Sequence, residues 1–157
     1  MCGKGQVFSS DFMIASSIFI MAFSILIIYW THTSYQIEER REINQMIEKA
    51  YIASEVWFRE GIPKYWNSTN VIDLGLSNDH RINQTKLNAL QDIGYDRVAY
   101  LIGLGIYDYN LTIYNSTNDI LFTFGKTPPN TAKNIIKARR IGIYNGSIVS
   151  LEVMIWD

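Results

Sequence analysis

The segment Phe12-Met-Ile-Ala-Ser-Ser-Ile-Phe-Ile-Met-Ala-Phe-Ser-Ile-Leu-Ile-Ile-Tyr-Trp30 contains no charged residue. A helix of this length, at ~1.5 Å per residue, covers most of a ~30 Å hydrocarbon core. Its three serines can bond to carbonyls of their own helix, and its last two residues are aromatic rings that favour the membrane interface. A core helix of a soluble protein would interleave polar residues at a period of 3.6. We therefore predict one transmembrane helix and assign residues 6–30 to it.

This segment is expected to remain in the mature protein. A removable secretory signal has a shorter apolar region and a small-residue cleavage site on its far side. Here the far side reads Tyr29-Trp-Thr-His-Thr-Ser-Tyr35, without an Ala-x-Ala pattern. Cys2 lies before the apolar run, which is the wrong order for a lipoprotein. Conventional cleavage is therefore not predicted.

A second motif lies just before the apolar run. Lys4, Gly5 and Gln6 place a basic residue, a glycine and a glutamine ahead of the uncharged helix. This order resembles the class III signal of archaeal type IV pilins, in which a membrane-embedded prepilin peptidase cuts after the glycine. The resemblance implies cleavage between Gly5 and Gln6, loss of residues 1–5 as a leader peptide, and retention of the apolar segment as the N-terminal helix.

One acidic residue lies near the start of that helix. The archaeal pilin pattern has a glutamate at the fifth mature residue and a serine at the third, whereas this chain has Ser10 and Phe8 there and its acid, Asp11, at the sixth. Two interpretations of Asp11 remain open. A carboxylate near a helix N-terminus is favoured by the macrodipole. The resemblance instead implies a role in assembly, in which the acid of one subunit pairs with the N-terminal amine of another.

Length and charge limit the rest of the chain. The 157 residues, less about 30 in the membrane segment, leave room for one small soluble domain. Fourteen basic residues against 15 acidic ones give no basic surface, so nucleic acid is not a predicted partner. The only cysteine is Cys2, and His32 and His80 have no neighbours at metal-ligand spacing. We therefore predict no disulfide, no metal site and no cofactor.

Five Asn-x-Ser/Thr motifs for N-glycosylation follow the membrane segment, at Asn67, Asn83, Asn110, Asn115 and Asn145. All five lie on one side of that segment, which predicts that this side faces the glycosylation machinery. Together with the leader resemblance, the motifs predict a single-pass glycoprotein whose N-terminus is cytoplasmic and whose head is extracellular.

Beyond Trp30 no helix breaker occurs until Gly61, and apolar residues recur at helical spacing. We expect one helix over about residues 8–60, in which residues 31–60 continue the membrane helix and pack on the head through one apolar stripe. The residues of this stripe are Ile43, Met46, Ile47, Ala50, Tyr51, Ser54, Trp57 and Phe58.

Residues 61–157 are predicted to form the head. Asn83 or Thr85 caps a short helix that Gly94 ends, and a second helix follows. Alternating patterns and turn signals then predict four strands, with Asn145-Gly146 as a hairpin turn. These elements cover residues 96–102 for the second helix and 107–113, 120–124, 135–144 and 147–156 for the strands. The predicted fold class is α+β: a long N-terminal transmembrane and amphipathic helix packed on a four-stranded antiparallel meander, similar to type IV pilins.

The ordered motifs of the head also resemble the external domain of a group of archaeal pilin-like surface proteins. These motifs are Gly61-x-Pro-x-x-Trp66, Gly75-Leu76, Lys86-Leu-x-x-Leu90, and Tyr95 followed by Leu101-Ile-Gly103. The resemblance implies no enzymatic activity.

No pattern in the sequence predicts an enzyme. Asp92 with Asp96, and Asp108 near Asp119, are the nearest approach to paired carboxylates, and each lies where aspartate serves capping or solvation. The sequence contains no nucleophile elbow, zinc-binding histidine motif or phosphate-binding glycine loop.

Three functional hypotheses remain. The first is a pilin-like subunit that is processed by a prepilin peptidase and assembles with other pilin-like subunits through its apolar helix, in a filament or minor-pilin complex for adhesion. The second is a single-pass glycosylated surface protein that does not polymerise. The third, an envelope enzyme or binding module, has only an aromatic patch at Tyr65 and Trp66, for which packing against the helix is the favoured interpretation.

Overall fold

The computed structural model describes the backbone of residues 4–157 and the side chains of residues 10–157. Two compact units divide the chain, Met1–Glu42 and Ile43–Asp157. The helices are α1 (Lys4–Ser54), the 3₁₀ turn η1 (Glu55–Trp57), α2 (Gln84–Ile93) and α3 (Tyr95–Ile102). The strands are β1 (Ser77–Asn78), β2 (Arg81–Ile82), β3 (Asp108–Tyr114), β4 (Ile120–Gly125), β5 (Ile135–Tyr144) and β6 (Ser147–Trp156).

The first unit contains most of α1, which is the one helix among the described residues that is long and apolar enough to cross a membrane. Its apolar side chains are exposed on all sides between residues 12 and 30. As predicted, its hydroxyls bond within the helix: Ser17 donates to the Met13 carbonyl (2.8 Å) and Ser24 to that of Ile20 (2.7 Å). These groups therefore need no partner outside the helix.

The second unit contains the end of α1, and here the predicted apolar stripe is shifted. Met46, Ala50 and Trp57 are buried as expected, but Tyr51 and Phe58 are exposed. The helix also ends at Ser54, earlier than the expected residue 60. The helix ends early because the next carbonyls accept hydrogen bonds from a distant segment of the chain. The Val56 carbonyl accepts from Leu76 N and the Arg59 carbonyl from Ser77 N, both at 2.9 Å.

The sheet has six strands in the order β1-β2-β5-β6-β3-β4. All four predicted strands form, and every pairing is antiparallel except the contact of β2 with β5 at Ile82 and Tyr144. The expected count of four strands and the meander order are wrong. Two short strands join one edge, and β6 lies between β5 and β3. The connection through Pro128-Pro129 cannot join a ladder, so β5 is free to pair away from β4.

The core of the second unit lies between one face of the sheet and the helices. Most of its strand residues come from β3 and β6, with Ile82 from β2 and Tyr144 from β5, and its helical residues come from α1, η1, α2 and α3. The main members are Met46, Ala50, Trp57, Leu87, Leu90, Val98, Tyr109, Leu111, Ile113, Leu151, Val153 and Ile155. The sheet and the helices therefore share one hydrophobic cluster.

The loop between η1 and β1 also belongs to this core. Trp66 is buried and donates its indole N–H to the Gly75 carbonyl at 2.7 Å, whereas Tyr65 is exposed. The expected packing role thus holds for Trp66 and not for Tyr65. Gly75 lies so close to the backbones of Arg59 and Gly61 that a Cβ there would overlap both. Only glycine fits at this crossing of two chain segments.

Candidate functional site

The predicted leader junction lies at the start of α1. The backbone of Gly5 and Gln6 is helical, while Met1–Gly3 and the side chains of residues 1–9 are outside the described part of the chain. Asp11 is exposed, and no side chain among residues 10–157 pairs with its carboxylate. It lies about two turns after the first helical residue, whereas the effect of the macrodipole falls off within the first turn.

Two of the five predicted glycosylation motifs form the same local structure. The Asn67 side-chain oxygen accepts from Thr69 N (2.9 Å) and from the Thr69 hydroxyl (2.7 Å). Asn115 does the same with Thr117, at 2.9 and 2.8 Å. These are Asx turns, which asparagine favours because its side chain replaces a backbone acceptor. In both motifs the threonine hydroxyl touches the asparagine that would carry a glycan.

The two motifs differ at the amide nitrogen, to which an N-linked glycan is attached. Asn115 donates this N–H₂ to Asp119 Oδ2 at 2.9 Å. Asn67 is exposed, and its amide nitrogen has no acceptor among the described residues. Asn67 is therefore the best-presented acceptor of the five.

The other three acceptors lie in less open positions or tighter turns. Asn83 is half-buried as the N-cap of α2, where its oxygen accepts from Thr85 N and Lys86 N. Asn110 is half-buried on β3 and donates its amide to the Lys126 carbonyl at 3.0 Å. Asn145 is exposed but occupies the β5–β6 hairpin turn with a φ of 50°. Asn110 combines half-burial on a strand with an amide that is already hydrogen-bonded, so this site is the least favourable.

A network that the sequence did not reveal joins α3 to β3. Tyr95 donates its hydroxyl to Asp108 (2.6 Å) and accepts from Tyr109 N (3.0 Å), and the two tyrosine rings stack 4.6 Å apart. Lys126 Nζ lies 2.6 Å from the same Asp108 oxygen. The Lys126 and Tyr95 hydrogen bonds hold the pKa of Asp108 below its usual value, and burial raises the pKa values of both tyrosines.

This network lines a shallow cleft of about 490 Å³, beside the exposed side chains of Tyr100 and Ile106. Its charged groups neutralise each other, because Lys126 and Asp108 pair directly. Asp108 therefore binds Lys126 and Tyr95. Its position in the sequence had predicted only a capping or solvated carboxylate. Its expected neighbour, Asp119, instead bonds with Asn115 and Thr117 in the β3–β4 turn.

A second buried polar centre surrounds Lys86, which is only 3% exposed. Its amine donates to the carbonyls of Glu60 (2.5 Å) and Ser77 (2.9 Å) and to the side chain of Asn78. Burial lowers the pKa of this amine. Lys86 thus ties α2 to the loop at Glu60 and to strand β1, a structural role that its neighbours in the sequence do not indicate.

Within residues 10–157 no group of three or more histidine, cysteine or acidic side chains is placed to hold a metal ion. Comparisons with protein-family models, with curated proteins and with solved structures found no match. A functional assignment for this chain therefore depends on its own residues.

Proposed function

We propose that this chain is a type IV pilin-like cell-surface subunit. A prepilin peptidase removes residues 1–5, and the retained helix holds the protein in the membrane with the head outside the cell. Subunits assemble through their apolar helices with other pilin-like chains, in a filament or a minor-pilin complex that serves adhesion or surface attachment.

The observation that carries this proposal is the continuity of α1. The uncharged segment of residues 12–30 and the buried residues Met46, Ala50 and Ala53 belong to one unbroken helix. An ordinary anchor needs no such continuity, because a flexible linker can separate it from its domain. Here the membrane-length helix itself supplies part of the core of the head. Removal of the motif Lys4-Gly5 would leave that helix intact.

The position of Asp11 supports assembly through the helix. Cleavage before Gln6 creates an N-terminal amine, which would be surrounded by apolar side chains in a bundle of such helices. An unpaired buried charge costs several kcal/mol, so a carboxylate from a neighbouring subunit would stabilise the bundle. Asp11 is exposed and lies too far along the helix for a strong macrodipole effect. The assembly interpretation therefore explains its position better than the capping one.

The test of the proposal is the mass and N-terminal sequence of the protein extracted from membranes. We expect a chain that begins at Gln6. The leader offers a matched pair of variants: Gly5→Leu should leave the leader attached, and Gly3→Leu should be processed like the unaltered chain. An intact Met1 or Cys2 on the mature unaltered protein would contradict the proposal.

A second test separates a polymerising subunit from a surface protein that stays alone. Asp11→Ala should leave cleavage and membrane insertion unchanged but reduce the yield of surface filaments, measured by electron microscopy and by the protein sheared from cells. Asp11→Glu keeps the carboxylate and should restore part of the yield. Normal filament yield from Asp11→Ala, or no filaments from the unaltered chain, would favour the non-polymerising alternative.

The glycosylation motifs support an external head. In protein isolated from its native host we expect a glycan at Asn67 before any other site and the lowest occupancy at Asn110, as measured by mass spectrometry of peptides. Protection of the whole head from protease added to intact cells would place it in the cytoplasm and contradict this topology.

A further inference from the structure

A cleft of about 710 Å³ lies in the second unit, between the end of α1 and strand β5. Its volume is within the range of small-molecule sites, roughly 300–1,000 Å³. Three arginines line it, Arg59, Arg139 and Arg140, together with exposed aromatic and aliphatic side chains. Nothing in the proposed assembly mechanism uses these residues.

Arg140 is fixed in position without a charged partner. Its Nε donates to the buried Ser54 hydroxyl at 3.2 Å, and its guanidinium lies 4.5 Å from the centre of the Tyr51 ring. Ser54 in turn donates to the Tyr51 carbonyl at 2.6 Å. Among the described residues no carboxylate pairs with Arg140, so the four N–H groups of its two terminal nitrogens remain available to a ligand.

The other two arginines are already neutralised. Arg59 lies 3.0 Å from Glu55 and 3.8 Å from Asp73. Arg139 donates from two nitrogens to a single oxygen of the buried Glu152, at 2.7 and 3.2 Å. Three arginines thus face three carboxylates, but the pairing is uneven and leaves Arg140 alone. Arg140 can therefore pair with one negative charge of a ligand, whereas Glu55 in the same lining would repel a second charge on the group bound there, as in a phosphate monoester.

The remaining lining suits a ring with an apolar face and hydroxyl groups. Phe58 and Ile141 expose 41% and 75% of their surfaces beside the arginines. The cleft also lies along an open edge of the sheet, because β5 contacts β2 at Tyr144 alone among the described residues. Antiparallel pairing directs alternate backbone groups to either side, so at least one N–H and C=O of residues 139–141 points away from β6.

We propose that this cleft binds an acidic sugar of the uronic acid type, with its carboxylate on Arg140 and the C–H face of its ring against Phe58 and Ile141. A carboxylate matches the planar arrangement of guanidinium N–H groups and can form two parallel hydrogen bonds. The Glu55 carboxylate accepts hydrogen bonds from sugar hydroxyls, and the open backbone edge offers both donors and acceptors to them. Binding is a property of the head, whereas its use in adhesion to an acidic polysaccharide rests on the proposed function.

The experiment measures binding of a tri-galacturonate oligosaccharide to the full-length chain in detergent, by isothermal titration calorimetry. The control ligand is the methyl ester of the same trisaccharide, which has the same ring and no charge. We expect saturable binding of the acid and at least about tenfold weaker binding of the ester, because a hydrogen-bonded ion pair is replaced by a neutral contact. Equal binding of acid and ester, or no saturable binding of the acid, would overturn the proposal.

Variants at two positions of β5 locate the site. Arg140→Gln should weaken binding of the trisaccharide at least about tenfold, and Arg140→Lys should retain part of it, because lysine keeps the charge without the planar fork. Lys137→Gln removes the same charge from the same strand outside the cleft and should bind normally. Thermal melting checks that each variant is folded, and unaltered binding by folded Arg140→Gln would also overturn the proposal. Filament yield tests the proposed pilin-like function separately, so that function and the sugar-binding proposal can fail independently.

Discussion

Helix α1 contains two apolar segments that differ in what surrounds them. From Phe12 to Trp30 the large apolar side chains are 47–71% exposed, around the whole circumference of the helix. Near its other end, Met46, Ala50 and Ala53 are at most 1% exposed and belong to the core of the second unit. The backbone is the same in both, but only the second segment has protein packed against it.

The contrast shows how the pattern of apolar residues, rather than their number, determines the environment of a helix. A segment that is apolar on every side has no face for water, so lipid or other apolar helices must surround it. A segment with one apolar stripe can bury that stripe in a protein core and leave its charges in water. One continuous helix can therefore belong to a membrane and to a folded head.

The polar groups of the membrane-length segment also differ from those of the second unit in where their hydrogen-bond partners lie. In the first, Ser17 and Ser24 bond to carbonyls four residues earlier. In the second unit, polar side chains join distant parts of the chain: Lys86 reaches the Glu60 carbonyl 26 residues away. Polar groups in the membrane-length segment are satisfied locally, whereas those in the head hold its loops together.

The largest effect is expected from removing a buried ring of the head. Trp57→Ala should lower the free energy of unfolding by ~3–5 kcal/mol, because it leaves a cavity in the core where η1 packs. Trp30→Ala, at a ring that is 70% exposed, should change it by less than ~0.5 kcal/mol. Urea unfolding of the full chain in detergent, followed by near-ultraviolet circular dichroism, measures both.

A finer variant tests the same site. The Trp57 indole N–H is buried and has no hydrogen-bond partner among the described residues, so Trp57→Phe should cost less than Trp57→Ala. Equal stability losses from Trp57→Ala and Trp30→Ala would remove the distinction between the membrane-length segment of α1 and the buried core of the second unit.

A smaller loss of stability is expected when the buried amine of Lys86 is removed. Lys86→Met keeps most of the apolar stem but removes the three donors, which leaves the carbonyls of Glu60 and Ser77 unsatisfied. We expect a loss of ~1–3 kcal/mol in the free energy of unfolding. The comparison variant is Ser24→Ala, whose hydroxyl bonds within its own helix, and a change within ~0.5 kcal/mol is expected. Unfolding in urea again gives the values, and a larger loss from Ser24→Ala would reverse the comparison.

The smallest expected effect is on the loss of stability at acidic pH. The folded-state pKa of Asp108 lies below its unfolded value of about 3.9, since Lys126 and Tyr95 stabilise the carboxylate. Its contribution to stability is therefore complete above about pH 4 and is lost as the pH falls through the lower, folded-state pKa. Asp108→Asn should flatten the fall of the melting temperature below pH 4. An unchanged slope in Asp108→Asn would count against a specific role of this carboxylate.

Much of the secondary structure could be predicted from local patterns. The length of the apolar run, the Asn83 cap, the Gly94 break and the Asn145-Gly146 turn each depend on neighbouring residues, and the structure contains the elements they predict. Boundaries shifted where distant groups competed for backbone hydrogen bonds, as at the end of α1.

A membrane-length helix, the α+β elements that follow it and the positions of the Asn-x-Ser/Thr motifs could all be predicted from the sequence alone. These properties follow from composition and from spacings of a few residues. The folded structure was needed to learn the order of the strands, the buried face of α1, the hydrogen bonds of Lys86 and the unpaired position of Arg140. The physical reason is the separation of the partners: Arg140 and Ser54 are 86 residues apart, and no local pattern records which distant groups will meet.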